Sequence, residues 1–316
     1  MTSVPTRLAD ALFARFLSTV ATRLVRPPSL SLTSRDVAPA EAVQVPTRHG
    51  DVRCLVTRAA AGAPLAAGAA APPVHVHIHG GAFLLGAPQQ DDHLVRGIAG
   101  EVGATVVNVD YSAGANARFP RAHEECYDVL RWVQRSGDAM GWDATRVSIG
   151  GISAGGNLTL GALELARRGG DPAPRAAVLV VPSVDQTIPP EAYTSPLPPS
   201  TGRPHRPFVG PRLVRISHAH YFADAAGRTD PLASPLLAGE GMAALPPLLV
   251  VSAEQDSIRA QDERFVEKAR SMGVPVSYHC IAGVDHGFPQ SSREQDEAAV
   301  RELADLVRGH LIEHLS

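Results

Sequence analysis

Three stretches of this chain carry residue types that could do covalent chemistry. The first is Gly150-Gly151-Ile152-Ser153-Ala154-Gly155-Gly156-Asn157, a Gly-x-Ser-x-Gly turn. A strand-like run precedes it and a helix-like run follows it, which is the context a nucleophilic serine at a tight strand-to-helix turn requires. Gly151 and Gly155 keep the crowded positions on either side of Ser153 small. A serine at a helix N-terminus also sits where amides and the helix dipole favour negative charge. The second stretch is His79-Gly80-Gly81-Ala82-Phe83. Paired glycines let backbone amides approach a substrate oxygen closely, as stabilising an oxyanion demands. The expected donors are the amides of Gly80, Gly81 and Ala154, with His79 orienting the loop by hydrogen bonding. The third supplies a base and an acid. Asp256 and His286 each follow a strand-like run, in the order serine, acid, histidine. Glu254 and Asp285 are rival acids; Glu254 lies nearer its strand end, and Asp285 is adjacent to His286, where side chains diverge.

These groups need a scaffold. Candidate strands fall at Ala42–Pro46, Val52–Thr57, Val74–His79, Thr105–Val109, Arg146–Ile149, Ala176–Val181, Leu248–Ser252 and Val274–Ile281. The first two flank His49-Gly50-Asp51 and read as a hairpin. Helical patterns fall at about Arg121–Arg135, Ala154–Arg168, Arg259–Met272 and from Ser292 to the end. Continuous apolar strands alternating with helices predict an α/β fold with a mostly parallel, two-sided sheet. Residues 59–73 are nearly all Ala, Gly and Pro and read as a loop. Residues 183–225 carry eight prolines, a density that excludes long helices across the middle. That insertion is expected to cover the site as a cap, with a plain surface loop as the alternative. His218 and His220 fall within it.

The N-terminus has its own pattern. Leu8, Leu12, Phe16, Val20 and Leu24 recur at helical spacing, joined by Phe13 and Leu17 and interrupted by Arg15. This predicts an amphipathic helix docked on its own protein; attachment to a membrane surface is the other reading. His75, His77 and His79 alternate on one strand face. One strand rarely supplies three metal ligands, so packed or hydrogen-bonded histidines are expected and no metal. His310 and His314 are expected in solvent on the last helix.

Composition sets the outer bounds. The 316 residues are 44% hydrophobic and 19% charged, with a net charge of −3. That balance suits one large domain with a substantial core. No dense Lys/Arg run points to nucleic acid, and no apolar run approaches the roughly 20 residues a membrane helix needs. Cys54, Cys126 and Cys280 have no paired spacing and read as reduced thiols in a cytoplasmic protein.

Taken in order, the motifs resemble those of the hormone-sensitive-lipase-like esterases, the bacterial family IV group of α/β-hydrolases. The resemblance spans roughly residues 74–290. It rests on His79-Gly80-Gly81-Ala82-Phe83, Asp110-Tyr111 with Arg118-Phe119-Pro120, and Ser153-Ala154-Gly155-Gly156-Asn157. It continues through Asp230-Pro231 with Ser234-Pro235-Leu236, Ala253-Glu254-x-Asp256 and His286-Gly287-Phe288. It implies an α/β-hydrolase fold with an eight-stranded sheet and an N-terminal helical cap over residues 1–40. It also implies hydrolysis of short- to medium-chain acyl esters without a cofactor, and a possible homodimer through the last strand. Three segments depart from the family pattern. Ile152 replaces an acidic residue, Asp256-Ser257-Ile258-Arg259-Ala260 stands where the family has Asp-Pro-Leu-Arg-Asp, and Ser112-Ala113-Gly114-Ala115-Asn116 replaces Arg-Leu-Ala-Pro-Glu. A non-catalytic binding protein on this scaffold, or a hydrolase of an amide, lactone or acetylated natural product, are the competing readings.

Overall fold

The computed structural model describes residues 10, 12–16, 19, 22–114, 117–196 and 206–316. Eight strands form one sheet: β1 (Glu41–Thr47), β2 (Gly50–Thr57), β3 (Val74–Ile78), β4 (Thr105–Val109), β5 (Val147–Ile152), β6 (Ala176–Val180), β7 (Leu248–Ala253) and β8 (Val276–Ile281). Their spatial order is β1-β2-β4-β3-β5-β6-β7-β8. The β1–β2 hairpin turns through Arg48 and His49, with Thr47 opposite Gly50 at φ 101°. Glycine adopts that backbone without the penalty a Cβ would impose. β2 runs antiparallel to β4, and every pair from β4 onward is parallel.

Strands β3 to β7 are buried along their whole length, which is why Thr105–Val109 and Leu248–Ala253 read as largely apolar runs, whereas the edge strand β8 is mostly exposed. The helices that cover them are α1 (Asp92–Gly97), α2 (Arg121–Arg135), α3 (Ala154–Gly169), α4 (Pro211–Tyr221), α5 (Arg259–Ser271) and α6 (Glu297–Leu315). Residues of α2, α3 and α5 pack into the core on one face, with Leu130, Leu158 and Phe265 fully buried. Residues of α1 and α6 pack on the other, around Val95, Leu303 and Leu311. β3 pairs with β4 on one side and β5 on the other, so the chain winds in opposite directions from β3. The crevice at the carboxyl ends of β3 and β5 is therefore the switch point where open α/β sheets bind ligands.

The structure adds two elements that sequence periodicity did not show. A helical segment from Pro88 through α1 to Val102 connects β3 to β4; its pattern is broken by Gly97 and Gly100, which pack against Leu32 and Thr33. The helix α4 lies inside the Pro-rich insertion and starts on Pro211, where a missing amide hydrogen costs nothing.

Two expectations are corrected. The helical face read as the docking face of the N-terminus is exposed at Leu12, Phe16 and Leu24. Docking instead uses Ala14, buried against Leu84 and Ile216, with Phe13 beside it and Asp10 paired to Arg212 and Arg215 of α4. Leu8, Leu17 and Val20 lie outside the described residues. His310 is buried rather than solvated, stacked edge-on against His314. Among the described residues no helix is long and apolar enough to cross a membrane.

Candidate active site

Ser153 sits between β5 and α3 with φ 57° and ψ −115°, a conformation costly for any residue with a side chain. The local sequence explains how the turn holds. A Cβ on Gly155 would fall on the carbonyl oxygen of Ile78, and one on Gly151 would fall on the backbone of Gly155. The strand end, the turn and the helix start are thus in backbone contact. The amide of Ser153 donates to Val180 O at 2.8 Å, and its carbonyl accepts from Asn157 and Ser183. The strained serine is tied to the sheet on both sides.

Three predicted residues meet here. The Ser153 hydroxyl donates to His286 Nε2 at 2.7 Å, and His286 Nδ1–H donates to Asp256 Oδ2 at 2.6 Å. The other oxygen of Asp256 accepts the amide of Ile258 at 3.0 Å. Asp256 is almost fully buried and His286 nearly so. A carboxylate so placed fixes the tautomer that leaves Nε2 free to take a proton from the serine. The two rival acids point elsewhere. Glu254 accepts the amide of Gly283, and Asp285 accepts the amides of His286 and Phe208.

The loop after β3 faces Ser153 from the other side. Gly80 is so close to Ile152 O that a Cβ would lie 3.1 Å away, and Gly81 has φ 131°. Ala82 and Phe83 follow with φ 53° and 62°, so the loop holds two left-handed residues that are not glycine. Among the described residues no acceptor takes the amide hydrogens of Gly80, Gly81 or Ala154. His79 Nδ1–H donates to Gly80 O at 2.7 Å, and Gln90 donates to the same carbonyl at 3.0 Å. The His79 ring stacks on Tyr111 with centroids 4.4 Å apart, and the Tyr111 hydroxyl donates to His79 O. Burial lowers the pKa of His79, which favours the neutral ring, and its hydrogen bond to Gly80 O ties it to the loop. His75 bonds Ser148, and His77 bonds Asp91. Among the described residues no cluster could hold a metal ion.

A pocket of about 210 Å³ opens over Ser153. Its apolar wall includes Phe83, Leu85, Val214 and Ile258, while Phe208 and Val209 of the insertion close one side. Phe208 stacks over His286 with centroids 5.9 Å apart, and a Cβ on Gly287 would collide with its ring. From α4, Ser217 donates to Ala82 O, and Tyr221 stacks on Phe83 at 4.2 Å. Gln186 and His218 add polar groups to the wall. Sequence reasoning missed Phe208, Gln90, Gln186 and Ser217. His218 was noted only for its place in the insertion, and nothing local marks any of the five. Ile152, the apolar residue before the serine, is buried in the same cluster as Val180, Val251 and Phe288.

Comparison with known proteins places this arrangement. A family model described as alpha/beta hydrolase fold matches residues 75–290. The chain belongs to that family, in its hormone-sensitive-lipase-like branch. It is 31% identical to an arylesterase of Saccharolobus solfataricus, over 69% of this chain and 70% of the relative. It is 30% identical to an ethyl acetate hydrolase of Pseudomonas putida, over 78% of this chain and 75% of the relative. Among solved structures it is similar to EstE1, a thermostable carboxylesterase cloned from a metagenomic library. The TM-score is 0.79 at 27% identity, covering 97% of this chain and 98% of that one.

Proposed function

We propose that the protein hydrolyses carboxylic esters with short- to medium-chain acyl groups, through an acyl-enzyme on Ser153. The observation that carries this is the continuous hydrogen-bonded relay from Asp256 through His286 to Ser153. As Ser153 Oγ attacks the ester carbonyl, His286 Nε2 takes its proton and Asp256 stabilises the imidazolium. The carbonyl oxygen becomes negative, and the amides of Gly80, Gly81 and Ala154 receive it. Among the described residues their hydrogens have no other acceptor, so none must break such a bond to do so. The alcohol leaves with the proton from His286. Water, activated by the same imidazole, then releases the acid. No step requires a cofactor.

The pocket size supports compact esters, and the relatives' names point the same way. The insertion of residues 183–225 acts in this reading as a cap on the α/β-hydrolase domain of residues 41–316, with its described residues Phe208, Val209 and Val214 lining the pocket. The buried thiols of Cys54 and Cys126 suit a reducing cytoplasm. Dimerisation in this reading uses β8, which pairs only with β7 among the described residues.

Ser153→Ala is expected to lower p-nitrophenyl butyrate turnover by at least about 10⁴-fold while the thermal unfolding curve is kept. Covalent labelling by an organophosphonate should disappear with it. Unchanged hydrolysis by Ser153→Ala would overturn the reading, and a wild-type protein that neither labels nor turns over would mark a binding protein instead.

A further inference from the structure

One wall of the pocket holds a chain of polar groups that the reaction does not use. Arg228 Nη1 lies 3.2 Å from His218 Nδ1. His218 Nε2 lies 3.3 Å from Gln186 Oε1, and Gln186 Nε2 lies 2.8 Å from Ser183 Oγ. The direction of every bond in this chain is forced. A guanidinium only donates, so His218 Nδ1 must be the acceptor and its proton must sit on Nε2. That proton requires the oxygen of Gln186, which leaves the Gln186 amide nitrogen facing Ser183. The amide only donates, so the Ser183 hydroxyl accepts from it and keeps its own hydrogen.

Nothing among the described residues takes that hydrogen. Ser183 is half-buried and lines the pocket with Gln186 and His218, both of them buried. It is tied to the nucleophile, because its amide donates to Ser153 O at 3.2 Å. Asn157 fixes its carbonyl at 2.7 Å. The far end of the chain carries a fixed positive charge, and bonds arranged head to tail polarise one another. Burial and the Arg228 charge lower the pKa of His218 to about 4, so the ring stays neutral and the direction holds near pH 7.

We infer that Ser183, oriented by Gln186, His218 and Arg228, is a hydrogen-bond donor for an acceptor oxygen on the substrate, close to the ester being cleaved. The preferred substrates are then compact esters with an ether, carbonyl or hydroxyl oxygen a few bonds from the carboxyl group, not plain alkyl esters. The inference rests on the ester-hydrolase reading. A site that aligns a donor on such an oxygen discriminates against the analogue with a methylene there, because the donor is left unpaired.

The test uses two pairs of esters that differ by one oxygen for one methylene. On the acyl side the pair is p-nitrophenyl methoxyacetate and p-nitrophenyl butyrate. On the alcohol side it is 2-methoxyethyl acetate and butyl acetate. Each kcat/KM is divided by the rate of hydroxide-catalysed hydrolysis to remove intrinsic reactivity. The wild type should prefer the oxygen-bearing member of one pair about tenfold. The responding pair tells which side Ser183 faces. Ser183→Ala and Ser183→Val should bring that ratio close to one, and Ser183→Thr should keep it. Arg228→Met, which frees the His218 tautomer, should reduce it. Turnover of all four esters without preference, or a preference that survives in Ser183→Ala and Ser183→Val, overturns the inference alone. No turnover of any ester, with Ser153 unlabelled by organophosphonate, overturns the ester-hydrolase reading and this one with it.

Discussion

The carboxylate of Asp285 accepts the backbone amide of Phe208 at 2.9 Å, across 77 residues of chain. Its other oxygen accepts the amide of His286 at 2.7 Å. One side chain thus joins the loop that carries His286 to the insertion that lines the pocket. The Phe208 ring then lies over the His286 imidazole. Sequence order made Asp285 a rival for the acid beside His286; its geometry makes it a latch.

Cutting that latch should loosen both elements at once. Asp285→Ala is expected to lower kcat/KM for p-nitrophenyl butyrate about tenfold, since two charge-assisted hydrogen bonds are lost. Asp285→Asn keeps one acceptor and should fall between. Michaelis constants and turnover numbers measured for both variants decide it. Wild-type kinetics in Asp285→Ala would show that Phe208 and His286 hold their places without it.

The turn at Ser153 tolerates no side chain at Gly155. An added methyl would land on Ile78 O, a backbone atom of β3 with no freedom to move. Gly155→Ala should destabilise the fold by about 3 kcal/mol or more and abolish ester turnover. Urea unfolding followed by circular dichroism measures the first effect. A variant as stable and active as wild type would mean that β3 and α3 can separate.

Much of this molecule was legible in the chain. β4 and α2 occupy the residues that periodicity assigned, and most other boundaries fall within two residues. The central parallel strands are rich in Val, Ile and Leu, and local pattern is what periodicity reads. The residues around Ser153 and His79 were legible for the same reason: each turn is built from neighbours in sequence. The wall of the pocket was not. Phe208 meets His286, and His218 meets Gln186, only because the insertion folds back over the sheet. The Gly97 and Gly100 contacts likewise break a helical pattern for packing reasons that lie some 65 residues upstream. At the N-terminus the largest apolar side chains suggested the docking face, but the contact is made by the small Ala14, which lets two helices approach closely.

Asn157 closes the motif after Ser153 and spends all its polar atoms on buried partners. Its amide nitrogen donates to Ser183 O and Ala233 O, both at 2.7 Å. Its oxygen accepts from His123 Nε2 at 2.9 Å, and His123 Nδ1 in turn accepts from the Tyr221 hydroxyl. Asn157→Ala leaves Ala233 O and an imidazole N–H of His123 without the partner they have here, and leaves Ser183 O only the 3.4 Å bond from Gln186, at a cost of about 3 kcal/mol. Because one of those carbonyls belongs to Ser183, the kinetic effect should exceed what the stability loss alone predicts at 25 °C. Chemical denaturation and steady-state kinetics on the same preparation check both. Stability within about 0.5 kcal/mol of wild type would contradict the network.

Asp262 gives a stability prediction with a definite pH sign. It is fully buried on α5, with one oxygen accepting from Ser252 Oγ at 3.0 Å and the other without a hydrogen-bond partner among the described residues. Burial, reinforced by the nearby Asp256 charge, raises its pKa well above the usual carboxylate value. Below the unfolded pKa both states hold the proton, and the group is neutral to stability. As pH rises past that point the unfolded chain ionises while the folded carboxyl stays protonated. Stability is then lost at up to about 1.4 kcal/mol per pH unit, until the folded pKa is reached. Asp262→Asn removes the ionisable group and keeps the shape. The variant's melting temperature relative to wild type should therefore climb from pH 4 to pH 8. A difference that stays flat across that range would mean that Asp262 is ionised in the folded protein, held by a partner that offsets both its burial and the charge of Asp256.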